Sequence, residues 1–195
     1  MSGAGSAAAR RGTDARARRM IVLIAAIAVA PVVLAWFAYH YWPRTARTNY
    51  GELLSAQTLP QITGTTLAGA PFDSSALRGK WVVLYAAPGA CDAVCQQALY
   101  ASRQARTIQN AERDRVQRVW LLTDGATPPQ ALLALHPDLA TARVAPAALV
   151  PLPRGLAVMY LVDPLGNLVL AWPANPDIKA MSKDLSKLLH ASQIG

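Results

Sequence analysis

Residues 20–39, from Met20 through Val32-Val33-Leu34 to Tyr39, carry no charged side chain, and no other feature constrains the chain as much. About twenty apolar residues are what one α-helix needs to cross a hydrocarbon core of ~30 Å. Pro31 falls inside the run, where a membrane helix tolerates a proline. Trp36, Tyr39, Tyr41 and Trp42 crowd its far end, as an interfacial aromatic belt would. A cleaved signal peptide has an apolar stretch of only ~7–15 residues and a small-residue exit. This run is longer and leaves through bulky rings, so residues 20–42 read as an uncleaved transmembrane anchor. Arg10, Arg11, Arg16, Arg18 and Arg19 precede it against the single Asp14. By the positive-inside rule, residues 1–19 then lie in the cytoplasm and the large C-terminal part lies across the membrane.

The rest of the chain divides around that anchor. Residues 1–19 are rich in Gly, Ala, Ser and Arg and are expected to be a disordered tail. Residues 43–60, with Pro43, Asn49, Gly51 and Pro60, read as an extended linker. Residues 61–195 remain for one domain, long enough for its own core. Much of the net charge of +8 belongs to the topology signal: from residue 44 onward, 14 basic residues face 10 acidic ones. A solvated surface accounts for that balance. No basic patch interleaved with aromatics argues for nucleic acid, and none is expected as a partner.

The chain has two cysteines, Cys91 and Cys95, in Trp81-Val-Val-Leu-Tyr-Ala-Ala-Pro-Gly-Ala-Cys91-Asp-Ala-Val-Cys95. They follow a β-like run and open a helix-like one. At i and i+4 on a helix, a rise of ~1.5 Å per residue leaves their Cα atoms roughly 6 Å apart, within disulfide range. The same two thiolates suit a soft metal ion. Thiol redox chemistry and copper handling therefore both stand open. Outside the inner membrane of a bacterium the compartment is oxidising. A bridge closing so short a loop adds little stability, so chemistry is the better reason for the pair. A helix N-terminus favours thiolate, whereas Asp92 between the cysteines opposes it by like charge.

Hydrophobic periodicity sets the remaining elements. Gln61–Leu67 reads as a strand, Gly69-Ala-Pro71 as a turn and Ser74–Arg78 as a helical turn. Trp81–Ala86 is an apolar, β-branched run typical of a strand buried on both faces. Asp92 is a plausible N-cap for a helix with Val94, Ala98, Ala101, Ala105 and Ile108 on one face. Val116–Thr123 is a second buried strand, and Pro128-Pro129 opens a short helix over Gln130–Leu135. Leu156–Val162, the turn Asp163-Pro-Leu-Gly166 and Asn167–Trp172 make a hairpin. Asn175-Pro176 starts a final helix with Ile178, Met181, Leu185, Leu188 and Leu189 on one side. The fold class is α/β, with a mostly parallel central sheet closed by an antiparallel hairpin.

That order of elements is similar to the thioredoxin-like fold, a mixed sheet flanked by helices. The stretch Gly69-Ala-Pro-Phe-Asp-Ser-Ser-Ala-Leu-Arg-Gly-Lys80-Trp-Val-Val-Leu-Tyr resembles the opening of membrane-tethered thioredoxin-like proteins. Three residues between the cysteines, rather than two, resemble the Sco-type proteins, which deliver copper to cytochrome c oxidase subunit II or reduce its cysteines. Thr127-Pro128, His136-Pro137-Asp138-Leu139 and Met159-Tyr160-Leu161-Val162-Asp163-Pro164-Leu165-Gly166 extend the resemblance over most of residues 60–190. It implies an inner-membrane protein whose periplasmic domain exchanges thiols and disulfides through Cys91 and Cys95. Its partner would be a cysteine-bearing respiratory oxidase subunit or an assembly factor of that oxidase. No cofactor is required, and Cu(I) on Cys91 and Cys95 is the metal to test. In the alternative the chain is a copper-binding chaperone or a non-catalytic assembly scaffold.

The chain departs from that family at one ligand. The Sco-type copper histidine falls at or near Gly155, in Pro153-Arg-Gly-Leu156, which has none. His40 belongs to the membrane boundary, His136 to a helix end as a cap or surface residue, and His190 to the end of the last helix, where a cation suits the dipole. Met159 and Met181 follow core spacing. The thioredoxin proline that faces the disulfide has its place near Ala157. A reporter fused after Gly195 is expected to be active only outside the cytoplasm, with the mature N-terminus retained. Cytoplasmic activity, or a soluble 44–195 fragment as the main species, would reverse this topology.

Overall fold

The computed structural model describes residues 6–41, 49–156 and 158–192. The chain forms two compact units, residues 1–47 and residues 48–195.

The first unit is one helix, α1 (Ser6–Tyr41). Its Arg16–Tyr41 portion has 26 residues, with an 18-residue stretch of mean hydropathy 2.7, long and apolar enough to cross a membrane. Trp36 stacks on His40 at 4.8 Å and Phe37 on Tyr41 at 5.4 Å, pairs four residues apart on the helix. The tail expected to be disordered is instead helical from Ser6 onward. Ala and Arg rank among the best helix formers, and a helix already nucleated by the apolar run extends at little cost. Trp42 and the first part of the expected linker lie outside the described residues.

The second unit is built on β4 (Trp81–Ala87), all seven residues of which are buried. It pairs in parallel with β5 (Val116–Leu122), in register from Trp81 with Val116 to Ala87 with Leu122. On its other side it pairs antiparallel with β7 (Val158–Val162). β1 (Glu52–Thr58), β2 (Thr63–Thr66), β3 (Pro71–Asp73), β6 (Leu139–Val144) and β8 (Asn167–Pro173) complete an eight-stranded sheet in the order β1-β8-β7-β4-β5-β6-β2-β3. Helices α2 (Ala93–Thr107), α3 (Gln130–Leu135) and α4 (Ile178–Ala191) complete the domain. The thioredoxin-like expectation holds, but the parallel character was overstated. Among the described residues only β4–β5 and β5–β6 run parallel; hairpins β2–β3 and β7–β8, with the β1–β8, β2–β6 and β4–β7 pairings, are antiparallel.

Three strands were not expected: β3 continues the turn at Gly69-Ala-Pro71 into a short antiparallel partner of β2, and the other two differ for physical reasons. β1 lies within the supposed linker, paired with β8 through an irregular register between Leu53 and Gln57. Gly51 and Pro60 bound this edge strand rather than marking a spacer. β6 reads Leu-Ala-Thr-Ala-Arg-Val and is only partly buried, so no apolar run announces it.

Alternate residues of β4 face opposite sides, as the strand period requires. Trp81, Val83 and Tyr85 join Leu99 and Ala105 of α2 and Met181, Leu185 and Leu189 of α4 in one core, which also holds Cys91 and Cys95. Val82, Leu84 and Ala86 join Ile62, Leu149 and Tyr160 in the other. Met159 and Met181 are fully buried packing residues. On α2 the buried row is Cys95, Ala98, Leu99, Ala101, Ser102 and Ala105. Val94 and Ile108 are each 51% exposed, because the inward Cys95 turns the face away from them.

Three buried polar side chains hold the layers in register. Asp184 of α4 accepts bonds from Tyr50 N at 3.0 Å, Gly51 N at 2.7 Å and Trp172 Nε1 at 3.1 Å, tying the approach to β1 onto α4. Arg118 of β5 donates to Leu99 O at 2.7 Å, Ser102 Oγ at 3.1 Å and Asp138 Oδ1 at 3.1 Å. His136 does stand at the C-cap of α3, but it is buried rather than on the surface, with Nδ1 3.5 Å from Arg118 Nη2. Desolvation, followed by the Arg118 charge, pushes its pKa down to about 4.

The sign of the resulting pH effect is fixed. Between about 6.5 and about 4 the unfolded imidazole binds a proton that the folded one refuses. Stability contributed by neutral His136 is therefore present above about 6.5 and is lost as pH falls toward 4. Denaturant titrations should show this decline, and His136→Leu should flatten it relative to wild type.

Candidate functional site

Beyond the end of β4 the chain turns sharply into α2, and Cys91 lies in that turn. Pro88 O accepts from Cys91 N at 3.1 Å, and Cys91 O accepts from Gln96 Nε2 at 3.0 Å. Both backbone polar groups of Cys91 are thus engaged, which holds the residue at a φ of +43°. A left-handed conformation costs a non-glycine residue about 1 kcal/mol or more, and the surrounding bonds offset it.

Cys91 and Cys95 form a disulfide, with Cα atoms 5.1 Å apart. The helical i, i+4 geometry expected for the pair is only half right. α2 starts at Ala93, so Cys95 is helical whereas Cys91 precedes the cap. The cap is Asp92, as expected: its Oδ1 accepts from Cys95 N at 2.9 Å, leaving that helix end occupied by a carboxylate.

Three further groups shape the turn, none of them singled out from sequence. Gly89 N donates to Asp124 Oδ1 at 2.7 Å, and the same oxygen accepts from Ala126 N at 3.3 Å. A Cβ on Gly89 would stand 2.2 Å from Ala126 O, so only glycine lets the 123–127 loop press this close. Tyr85, from β4, shares the core of the two cysteines; burial, then the nearby Asp92 charge, raises its hydroxyl pKa. The available signal was the Thr123-Asp124-Gly125 turn, which must sit beside the cysteine turn once β5 pairs in parallel with β4.

Each cysteine is only 2% exposed. Ala90, Asp92, Ala93 and Val94 are exposed around them. The disulfide is therefore roofed by a small apolar rim with one carboxylate in it, and little of either sulfur is open to an incoming thiolate.

The other candidate positions fall elsewhere. Gly155 adopts φ +65°, with nothing within 4 Å of where its Cβ would be, and the turn around it is pinned by Tyr160, whose hydroxyl donates to Gly155 O at 2.9 Å and accepts from Arg154 N at 2.9 Å. Ala157 lies outside the described residues. His136 stands level with Arg118 in β5, several residues short of the strand end that meets the disulfide. His190 is exposed on α4, and His40 belongs to α1. Among the described residues no three His, Cys, Asp or Glu side chains gather in a way that could hold a metal ion. The donors present are two buried sulfurs joined to each other, which do not fit a copper site made of two thiolates and an imidazole.

Residues 81–192 match the family described as transmembrane-like, thioredoxin-like, C-terminal domain. No curated protein matches the sequence. Among solved structures, yeast Sco1 with copper bound is similar at a TM-score of 0.60 and 18% identity, covering 71% of this chain and 96% of that one. BsSco, a member of the Sco family of cytochrome c oxidase assembly proteins with an identified disulfide switch, has a TM-score of 0.57 at 12% identity, covering 72% and 95%. The thioredoxin domain of a thiol-disulfide oxidoreductase from Bacteroides vulgatus has a TM-score of 0.53 at 17% identity, covering 71% and 99%. At these identities the likeness is one of fold.

Asp92→Ala removes the cap on Cys95 N and should cost about 1 kcal/mol, whereas Asp92→Asn keeps an accepting oxygen there and should cost a few tenths at most. Urea titration of both variants measures this. An equal loss in the two would mean that the charge, not the hydrogen bond, stabilises the helix start.

Proposed function

The chain belongs to the transmembrane-like, thioredoxin-like family, and from that premise we propose that it is a membrane-anchored thiol-disulfide exchange factor assisting cytochrome c oxidase assembly. One observation carries this reading above the others: the two cysteines are bonded to each other at the end of the central strand, in a turn that strains Cys91. The Sco neighbours add the oxidase context, and the Bacteroides domain adds the exchange chemistry. α1 is the anchor, and the domain from β1 onward works in an oxidising compartment outside the cytoplasm, where a disulfide persists.

In exchange, a thiolate attacks one sulfur, a mixed disulfide forms, and a second thiol resolves it. Cys91 and Cys95 fill these two roles, with a cysteine pair of an oxidase subunit or of its assembly factors on the other side. Electrons flow in whichever direction the relative potentials set.

A second reading makes the reduced pair a Cu(I) ligand, favoured by the copper found in the yeast neighbour. Two thiolates satisfy soft, low-coordinate Cu(I), whereas Cu(II) prefers a tetragonal field with nitrogen donors.

A Cys95→Ser variant of the full chain, expressed in its own membrane, tests the first reading. Mixed disulfides with a defined respiratory partner are expected through Cys91, or through Cys95 in the reciprocal Cys91→Ser variant. If neither variant traps a partner while the reduced wild type takes up one Cu(I) per chain, the copper reading replaces the exchange reading.

A further inference from the structure

The charges at this end of the domain are few and unequally matched. The segment 88–97 carries one charged residue, Asp92, and the loop 123–129 carries one, Asp124. Both are exposed. Asp92 caps Cys95 N, and Asp124 grips Gly89, two residues before Cys91. Neither carboxylate is in an ion pair with any described residue. Against these two carboxylates the same end sets one uncompensated cation, Arg143, which donates to the neutral Thr127 Oγ1 at 3.0 Å in the Asp124 loop, while Arg154, in the loop before β7, is paired with Glu52. The field of Asp92 also reaches inward, since it raises the Tyr85 hydroxyl in the same core.

We infer that the face around Cys91–Cys95 takes a cationic, cysteine-bearing segment of its partner, and that Asp92 and Asp124 are the specificity-determining carboxylates. This rests on the exchange reading above. The attacking group in exchange is an anion, a thiolate, and it approaches a disulfide with the Asp92 carboxylate in its rim and the Asp124 carboxylate in the adjoining loop. An anionic thiol is repelled by both; a thiol with a positive charge beside it is drawn in. The partner thiolate bonds to one sulfur of the bridge, the S–S bond breaks, and its electron pair leaves on the other sulfur, which takes a proton from water. A second partner thiol then loses its proton and closes the partner's disulfide, releasing the first sulfur as a thiol. Two electrons pass from the partner dithiol to this pair, and the reverse sequence reduces a partner disulfide. The apolar rim of Ala90, Ala93 and Val94 suits small uncharged side chains next to that cysteine, with the cations one step further out.

The test uses the oxidised full chain in a neutral detergent and three small thiols: cysteamine (cationic), 2-mercaptoethanol (neutral) and 3-mercaptopropionate (anionic). The rate of bridge reduction is measured for each, per concentration of thiolate, at low and at high salt. Because a thiolate's intrinsic nucleophilicity rises with its pKa, each rate is divided by that of the same thiol on an uncharged small disulfide; on this scale cysteamine is expected to be fastest and 3-mercaptopropionate slowest. Asp92→Asn and Asp124→Asn, which keep their accepting oxygens, should each shrink the cysteamine-to-mercaptopropionate ratio by roughly two- to threefold at low salt, the size of an exposed charge acting over several ångströms of water. High salt should collapse the wild-type ratio in the same way. A ratio that neither variant nor salt changes overturns the selectivity while leaving the exchange reading intact. A bridge that no thiol reduces until the protein is unfolded overturns the exchange reading, and the selectivity falls with it.

Discussion

All seven side chains of β4 are out of water, and nearly everything else in the domain follows from that. A strand buried on both faces needs a covering layer on each side and a paired strand at each edge. β5 and β7 supply the edges; α2 and α4 cover one face, while Ile62, Leu149 and Tyr160 pack against the other. Because β4 is central, its end is a fixed point from which the chain can turn only into α2. The disulfide sits in that turn, so its position is as well determined as the core itself.

A second constraint acts on the same turn from the side. β5 runs parallel to β4 and ends level with it, so the loop after β5 meets the cysteine loop. Gly89 permits this by having no Cβ, and Asp124 fastens it through the Gly89 N–H. Arg118, lower on β5, reaches across to the backbone of α2 at Leu99 and is balanced by Asp138. The helix carrying Cys95 is therefore held at its start by Asp92, at its middle by Arg118 and along its length by small buried residues. Such over-determination is what a strained Cys91 backbone requires to persist.

The N-terminal helix and the domain obey different physics. In α1 the apolar side chains of residues 20–39 face outward, the arrangement that suits a helix surrounded by lipid, where every backbone group must be bonded within the segment. In the domain the apolar side chains face inward, and the charged groups that go in with them are bonded, Asp184 to three N–H donors and Arg118 to a carbonyl, a hydroxyl and a carboxylate, whereas Trp81 Nε1 and Thr141 Oγ1 are buried without a partner among the described residues. One charge left unpartnered in such a place would cost several kcal/mol.

Much of this was legible in the residues themselves. The uncharged run 20–39, the continuous apolar β4, the Asp92 cap, the Pro128-Pro129 helix start and the Asp163–Gly166 turn are local signals, and local physics decides them: burial period, capping and turn chemistry. β1 and β6 were not legible, because a short, partly buried edge strand is stabilised by its neighbour's hydrogen bonds rather than by its own pattern. The tail's helix, the exposure of Val94 and Ile108 and the burial of His136 likewise depend on what each residue meets in space. The sequence by itself determined that two cysteines stand at the end of a buried strand and the start of a helix. Only the tertiary structure decided that they are bonded, roofed by a thin apolar rim and set beside the loop whose Asp124 grips Gly89. Asp124 comes from a loop more than thirty residues away, and nothing short of the parallel pairing of β4 and β5 brings it there.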